Sequence, residues 1–257
     1  MAEEVISINR QKTFMTLSLT LLGLLWIVYF GFHSLFASLW FKNRVAASLP
    51  KLMPWYRLIF NTLATILLLP PVVYIWWLNS TPFWQFEGIW NWLRYTLMLL
   101  AMAGFVWSLR YYDGREFIGL KQIAEGQHDI KDQEHLQISP LHRFVRHPWY
   151  SLGLLLVWIQ EMDPARLVSA LLITGYLFIG SRLEEKKLKV YHGETYLRYS
   201  ARVPGLIPIP GRFLTKDEAN GTVNTNPIRP VEPEKAPIKA HPKGTSCGAR
   251  GEKFGCS

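Results

Sequence analysis

The chain has 257 residues, a formal net charge of +9 and 49% hydrophobic residues, including 11 Trp. The basic excess brings no soluble module with a basic groove and interleaved exposed aromatics, so nucleic acid is not an expected partner. Cys247 and Cys256, the only two cysteines, lie near the C-terminus and define neither a disulfide framework nor a zinc site, and no metal is expected.

The apolar residues are concentrated in runs. No charge occurs between Lys12 and Lys42, nor between Arg57 and Glu87. Each gap exceeds the about 20 apolar residues that cross a bilayer core. A cleaved signal peptide would hold an apolar stretch of only roughly 7–15 residues, so the first run reads as a retained helix. The first span is expected within Thr13–Phe41 and the second within Leu58–Leu78, where Pro70 and Pro71 predict a kink. Trp40, Trp55, Trp76 and Trp77 fall near span ends, where amphipathic rings favour the headgroup zone. A third span is expected at about Trp90–Leu109, with Arg94 near its start, placed to snorkel.

The stretch Arg110–Arg146 is polar, with six basic and six acidic residues. Two shorter apolar runs follow, Pro148–Gln160 and Leu167–Ser181. They predict a tight helical hairpin turning at Glu161–Pro164, its second helix continuing through Arg182–Tyr191. The fold class is therefore all-α: a polytopic membrane protein with about five transmembrane helices, including a C-terminal helical hairpin. Residues 1–109 form the N-terminal transmembrane helices and 110–215 the C-terminal region with the hairpin. Residues 216–257, with five prolines and few large apolar side chains, are expected to be a disordered tail.

Lys and Arg set the orientation. Lys42, Arg44, Lys51 and Arg57 load the first loop, whereas the second, Asn79–Asn91, has Glu87 and no base. Arg182, Lys186, Lys187 and Lys189 follow the last span. Five spans with an outside N-terminus and a cytoplasmic C-terminus satisfy this pattern, although Arg10 and Lys12 argue mildly against it.

Two segments are more polar than membrane flanks require. One is His142-Arg143-Phe144-Val145-Arg146-His147-Pro148-Trp149-Tyr150. The other is Arg182-Leu183-Glu184-Glu185, followed by Tyr191-His192-Gly193-Glu194-Thr195-Tyr196-Leu197-Arg198-Tyr199 and by Arg202-Val203-Pro204. Taken singly, these residues read as positive flank, belt aromatics and a solvated helix face. The hairpin instead brings both segments to one membrane face, where carboxylates meet His, Arg and Tyr beside apolar walls, the usual composition of a ligand site.

The Arg-His-Pro-Trp-Tyr run, the Glu184-Glu185 pair, the Gly193-x-x-Tyr196-x-x-Tyr199 spacing and the Arg202-Val203-Pro204 ending resemble the isoprenylcysteine carboxyl methyltransferase superfamily over about Phe117–Pro208. Phe117-Ile118-Gly119-Leu120-Lys121-Gln122 and His33-Ser34-Leu35-Phe36-Ala37-Ser38 are similar to its branch of methanethiol S-methyltransferases and NnrU-type relatives. The resemblance implies a membrane methyltransferase that uses S-adenosyl-L-methionine on a small thiol, lipophilic or carboxylate acceptor entering from the lipid bilayer. It implies cofactor contacts at His147, Pro148, Trp149, Tyr150 and Glu184, with His142, Leu136 and Gln137 beside them. Arg182 and Arg146 are the expected catalytic residues, able to hold a carboxylate or an anionic acceptor. In the isoprenylcysteine enzymes a substrate arginine stands four residues before the cofactor carboxylate. Gly180 occupies that position here, and Arg182 stands two residues before Glu184. The departure points away from a prenylated protein substrate. The rival readings are a non-catalytic membrane protein of the same fold and an NADPH-dependent membrane reductase.

Overall fold

A computed structural model describes residues 1–78, 80–126, 136 and 138–224, the side chains of residues 223 and 224 excepted. The chain divides into two compact units, Met1–Pro227 and Ile228–Ser257. The second unit, with Cys247 and Cys256, lies outside the described residues.

Nine α-helices occupy the described part of the first unit: α1 Ala2–Ala37, α2 Leu39–Ser48, α3 Tyr56–Leu78, α4 Ile89–Ser108, α5 Gly114–Ile118, α6 Leu120–Ala124, α7 Pro148–Trp158, α8 Pro164–Arg202 and α9 Lys216–Asn224. No strand occurs among the described residues, only an isolated bridge between Trp84 and Met162. Four helical segments are long and apolar enough to cross a membrane: Ala2–Ala37, Pro50–Leu78, Ile89–Tyr111 and Pro164–Arg202. Within each apolar window no more than 17% is buried, so their leucines and valines face outward, as only lipid can accommodate. The protein is a polytopic helical membrane protein. Of the about five spans expected, four meet the length requirement. The arm α7 has 11 residues, about 16 Å of helix, and falls short of the bilayer core. It runs antiparallel to α4 and α8, as Gln160–Met98 and Trp158–Thr174 contacts at one end and Trp149–Ser108 at the other require.

Helices α1 and α8 run parallel in a fixed register. Trp26 Nε1 donates to Ser169 Oγ at 2.8 Å, and His33 Nδ1 lies 2.8 Å from the Tyr176 hydroxyl, each pair 143 positions apart. Ala165 and Ser169, one turn apart and buried, let the backbones approach where Leu22 and Trp26 pack. Helix α3 lies against α1 and α8 and stays continuous through Pro70 and Pro71.

The loops sort to two ends. Phe83 and Trp84 amides donate to Met162 O, and Met162 N returns to Trp84 O, so the α3–α4 loop is bound to the α7–α8 turn. At the other end, Gly119 has φ +104°, and a Cβ there would stand 2.7 Å from Leu58 N. That close approach, open only to glycine, seats the α5–α6 turn on the start of α3, where Asn61 Nδ2 also donates to Phe117 O.

Three expectations change. Arg94 does not snorkel. It is buried, paired with Glu161 at 3.1 Å, because the hairpin turn brings a carboxylate to it. The hairpin turn lies at Ile159–Asp163, and Asp163 caps α8 by accepting from Arg166 N. The expected tail begins with a helix: in Lys216–Asn224, Ala219 is buried against Tyr196, Tyr199, Val203 and Leu214. Apolar contact at Ala219 and a cap at Thr215, which Glu218 accepts from, offset the ordering cost there.

Candidate functional site

The open end of the α7–α8 hairpin gathers most of the polar residues expected there. Pro148 starts α7, where its missing N–H costs nothing. Just before it, Arg146 N donates to Pro204 O and Gly205 O, and His147 N to Gly205 O, which ties the entry of α7 to the chain leaving α8. Helix α8 is interrupted at Gly193 (φ +48°), so its last turns are re-aimed. Tyr196 and Tyr199 are buried there, and the Tyr199 hydroxyl donates to His142 O at 2.7 Å.

A buried ionic cluster forms the centre. Arg146 donates from Nε (2.9 Å) and Nη2 (2.6 Å) to Glu185 Oε1, and from Nη1 to Ser200 O and Val203 O. Four of its five N–H donors are thereby engaged within the fold. His147 sits between two carboxylates, with Nε2 3.2 Å from Glu185 Oε1 and Nδ1 3.3 Å from Glu184 Oε2. The Tyr150 ring stacks on the His147 ring, with centroids 5.4 Å apart and an interplanar angle of 11°. The two adjacent glutamates differ sharply. The Glu185 side chain is 7% exposed, whereas that of Glu184 is 44% exposed.

The other expected residues take separate places. Trp149 donates Nε1–H to Ser108 Oγ at 2.8 Å and packs against Phe105, Tyr112 and Phe117, so it joins α7 to α4 and α5. Leu136 packs on the Tyr196–Tyr199 cluster, and Gln137 lies outside the described residues. His142 Nδ1 is 2.8 Å from Ser139 Oγ. Burial pushes the His142 imidazole down to about 4, with His147 adding to the shift and Glu184 opposing it. Tyr150 meets Gly180: its hydroxyl lies 3.9 Å from where a Gly180 Cβ would stand. Arg182 is exposed, its guanidinium 5.1 Å over the Phe178 ring.

Sequence reasoning took Glu185 only as part of the Glu184-Glu185 pair, and it did not assign Ser108 or Tyr196 to the site. A serine closing an otherwise apolar span was the available signal for Ser108. The Tyr196 hydroxyl is buried beside the Arg146 guanidinium. Two surface recesses lie elsewhere. One, of about 700 Å³, is lined by Leu49, Pro50, Leu52, Trp55 and Ile59; the other, of about 370 Å³, is lined by Arg198, Arg202 and Glu218. No group of histidine, cysteine and carboxylate side chains able to hold a metal occurs among the described residues.

Fold and site together define a helical, multi-pass membrane protein whose polar centre lies where a short hairpin opens. The chain is 30% identical over 207 residues to a methanethiol S-methyltransferase of Crocosphaera subtropica, covering 79% of each protein. It is 31% identical over 179 residues to methanethiol S-methyltransferase 2 of Bradyrhizobium diazoefficiens, covering 68% of each. A third relative of the same name, from a Pseudomonas strain, is 30% identical over 171 residues, and the chain spans 63% of its length. The chain belongs to the methanethiol S-methyltransferase family. No protein-family model matches it, so the wider isoprenylcysteine grouping rests on motif resemblance. No solved structure matches it either.

Proposed function

We propose that the protein methylates a small thiol, using S-adenosyl-L-methionine bound at the open end of the α7–α8 hairpin. The observation that carries this reading is the division of labour between adjacent carboxylates. Glu185 is consumed by Arg146 and His147, which leaves Glu184 half-exposed on a preorganised surface beside Tyr150. A carboxylate so placed accepts hydrogen bonds from ribose hydroxyls or from an ammonium group. The Tyr196 hydroxyl, buried beside the Arg146 guanidinium, closes the inner side of that surface. The family relationship supports the reaction class, and the printed names of the relatives support a thiol acceptor.

The cofactor supplies an electrophilic methyl group on a sulfonium. The protein's contribution is alignment and exclusion of water, which such a displacement requires more than a strong acid. Arg146 acts by positioning: it locks the entry of α7 to the exit of α8 and so fixes His147 and Tyr150. Arg182 is the exposed cation at the rim, free to hold a cofactor carboxylate bidentately. The apolar flanks Ile179 and Leu183, both exposed, admit an acceptor dissolved in the bilayer.

This end of the molecule faces the cytoplasm in our reading. The loop bearing Lys51 and Arg57 shares its face with the α5–α6 turn, while the base-free α3–α4 loop is bound to the hairpin turn. Impermeant thiol labelling from outside intact cells should modify a cysteine at Ser80 and spare one at Lys51, and the reverse pattern would invert the orientation.

Calorimetric titration with S-adenosylhomocysteine tests the cofactor site. Glu184→Gln preserves size and removes charge. The loss of a charged hydrogen bond costs about 1.5–3 kcal/mol, so affinity should fall roughly 10- to 150-fold. Equal affinity in both proteins removes Glu184 from the site. No binding to the wild type removes the methyltransferase reading.

A further inference from the structure

A second polar cluster lies inside the apolar layer, away from the ionic centre. His33 on α1 places Nδ1 2.8 Å from the hydroxyl of Tyr176 on α8, and Ser34 Oγ lies 3.1 Å from the same hydroxyl. Phe30 stacks flat on Tyr176 at 4.1 Å and 7°, and Phe60 of α3 lies 5.3 Å from the His33 ring. The titratable groups around His33 are Tyr29 on its own helix and Tyr176 on α8. Tyr56, at the start of α3, donates its hydroxyl to Phe36 O. The helix stretches that meet here, residues 13–37, 58–78 and 167–181, contain no charged residue, and Arg57 and Arg182 lie just beyond them. A histidine in such a layer is costly to place and marks a functional site by default.

The cluster is aligned with the proposed cofactor site. Tyr176, Gly180 and Glu184 succeed one another every four residues on α8, each turned about 40° from the last, over about 12 Å of rise. The α1–α8 register that pairs His33 with Tyr176 places Ala37, the last residue of α1, level with Gly180. Helix α1 therefore stops where α8 lacks a side chain. Among the described residues, a Cβ at Gly180 would meet only the Tyr150 hydroxyl within 4 Å. The missing side chain at Gly180, with the Tyr150 hydroxyl 3.9 Å from where its Cβ would stand and α1 ending at Ala37, leaves room between the two polar clusters.

We propose that this space receives the acceptor thiol and that His33, oriented by Tyr176, takes its proton. The proposal rests on the methyltransferase reading above and deepens it. With Nδ1–H donating to Tyr176 and the Tyr176 hydroxyl donating to Ser34, Nε2 carries a lone pair, and it takes no hydrogen bond among the described residues. The thiol S–H bond breaks toward Nε2. The sulfur electron pair forms the new S–CH3 bond while the bond from that methyl to the sulfonium sulfur breaks. The products are a thioether, neutral S-adenosylhomocysteine and a proton held on His33. A neutral alkanethiol that enters by the apolar flank needs a base inside the site, whereas a thiolate already formed in solution enters from the aqueous open end and needs none.

The test uses the full-length protein in detergent and His33→Gln. With ethanethiol near neutral pH, the variant should lose about 10²- to 10⁴-fold in turnover, the span of a missing general base. The deficit should shrink as pH rises and the thiol ionises in solution. An aromatic thiol already largely ionised in the assay should be methylated at nearly the wild-type rate. Titrating ethanethiol into the S-adenosylhomocysteine complex should show weaker binding in His33→Gln and Tyr176→Phe, with S-adenosylhomocysteine affinity unchanged. A variant equally slow with both thiols, or equally fast, overturns the proton-acceptor role. Loss of S-adenosylhomocysteine binding in either variant overturns the separation of the two subsites. A wild type that binds S-adenosylhomocysteine but methylates neither thiol refutes the acceptor class and leaves the cofactor site standing. A wild type that does not bind it refutes the underlying reading.

Discussion

Two arginine–glutamate pairs hold opposite ends of the same hairpin, and they differ in what they leave over. At the turn, Arg94 pairs with Glu161, donates to Asn91 and lies 4.5 Å over the Tyr95 ring. The neighbouring carboxylate, Asp163, is consumed by the Arg166 amide and guanidinium. At the open end Arg146 pairs with Glu185, yet the neighbouring carboxylate, Glu184, keeps 44% of its side chain exposed. One end is a latch with its acids spent. The other is a latch that presents an acid. The lesson is that burial of an ion pair locates strength, and the carboxylate beside it locates chemistry.

Substitutions can break that comparison. Glu185→Gln leaves the Arg146 cation buried without a counter-charge and should cost about 3–5 kcal/mol. Thermal unfolding in detergent should show a large fall in Tm, or the protein should fail to accumulate. Glu161→Gln should cost only about 1 kcal/mol, because that carboxylate is a third exposed, so water screens its loss, and Arg94 keeps its contacts with Asn91 and the Tyr95 ring. Equal destabilisation by the two variants would erase the distinction between the ends. Glu184→Gln sits on the other side of the comparison: its effect belongs in S-adenosylhomocysteine affinity, with Tm shifted by under about 0.5 kcal/mol equivalent.

The open end should also show a pH dependence of stability. His142 accepts a proton near 6.5 when unfolded and only at about 4 when folded, since burial disfavours its cation. Between those values the unfolded chain binds more protons, so stability falls as pH is lowered through the window. From about pH 7.5 to about pH 5.5 the loss should be about 1 kcal/mol. His142→Asn should flatten that limb of the Tm profile. A profile unchanged by the substitution would assign the acid sensitivity to another group.

Much of the architecture was legible in the chain. Charge-free runs reveal spans because a bilayer tolerates few ions, and the observed α4, Ile89–Ser108, differs from its expected bounds by a residue at each end. The hairpin followed from two short apolar runs. The motif around Gly119 was visible as a pattern, but its reason was not: only the packed structure shows Leu58 N where a Cβ would be. Likewise Ala219 reads as part of a proline-rich tail until its burial against Tyr196 is seen.

The sequence by itself determined the helical membrane class, the approximate spans, the hairpin and the polar segments at its open end. These depend on local composition and period, which any stretch of chain carries without reference to the rest. Only the tertiary structure decided which glutamate is locked and which presented. Adjacent helix residues point about 100° apart, and the partner across the hairpin selects between them. Tertiary structure also decided that Arg94 is a latch, that four donors of Arg146 are engaged, and that His33 and Tyr176 meet. Each of these is a contact between residues dozens of positions apart, whose energy exists only once the packing has brought the pair together.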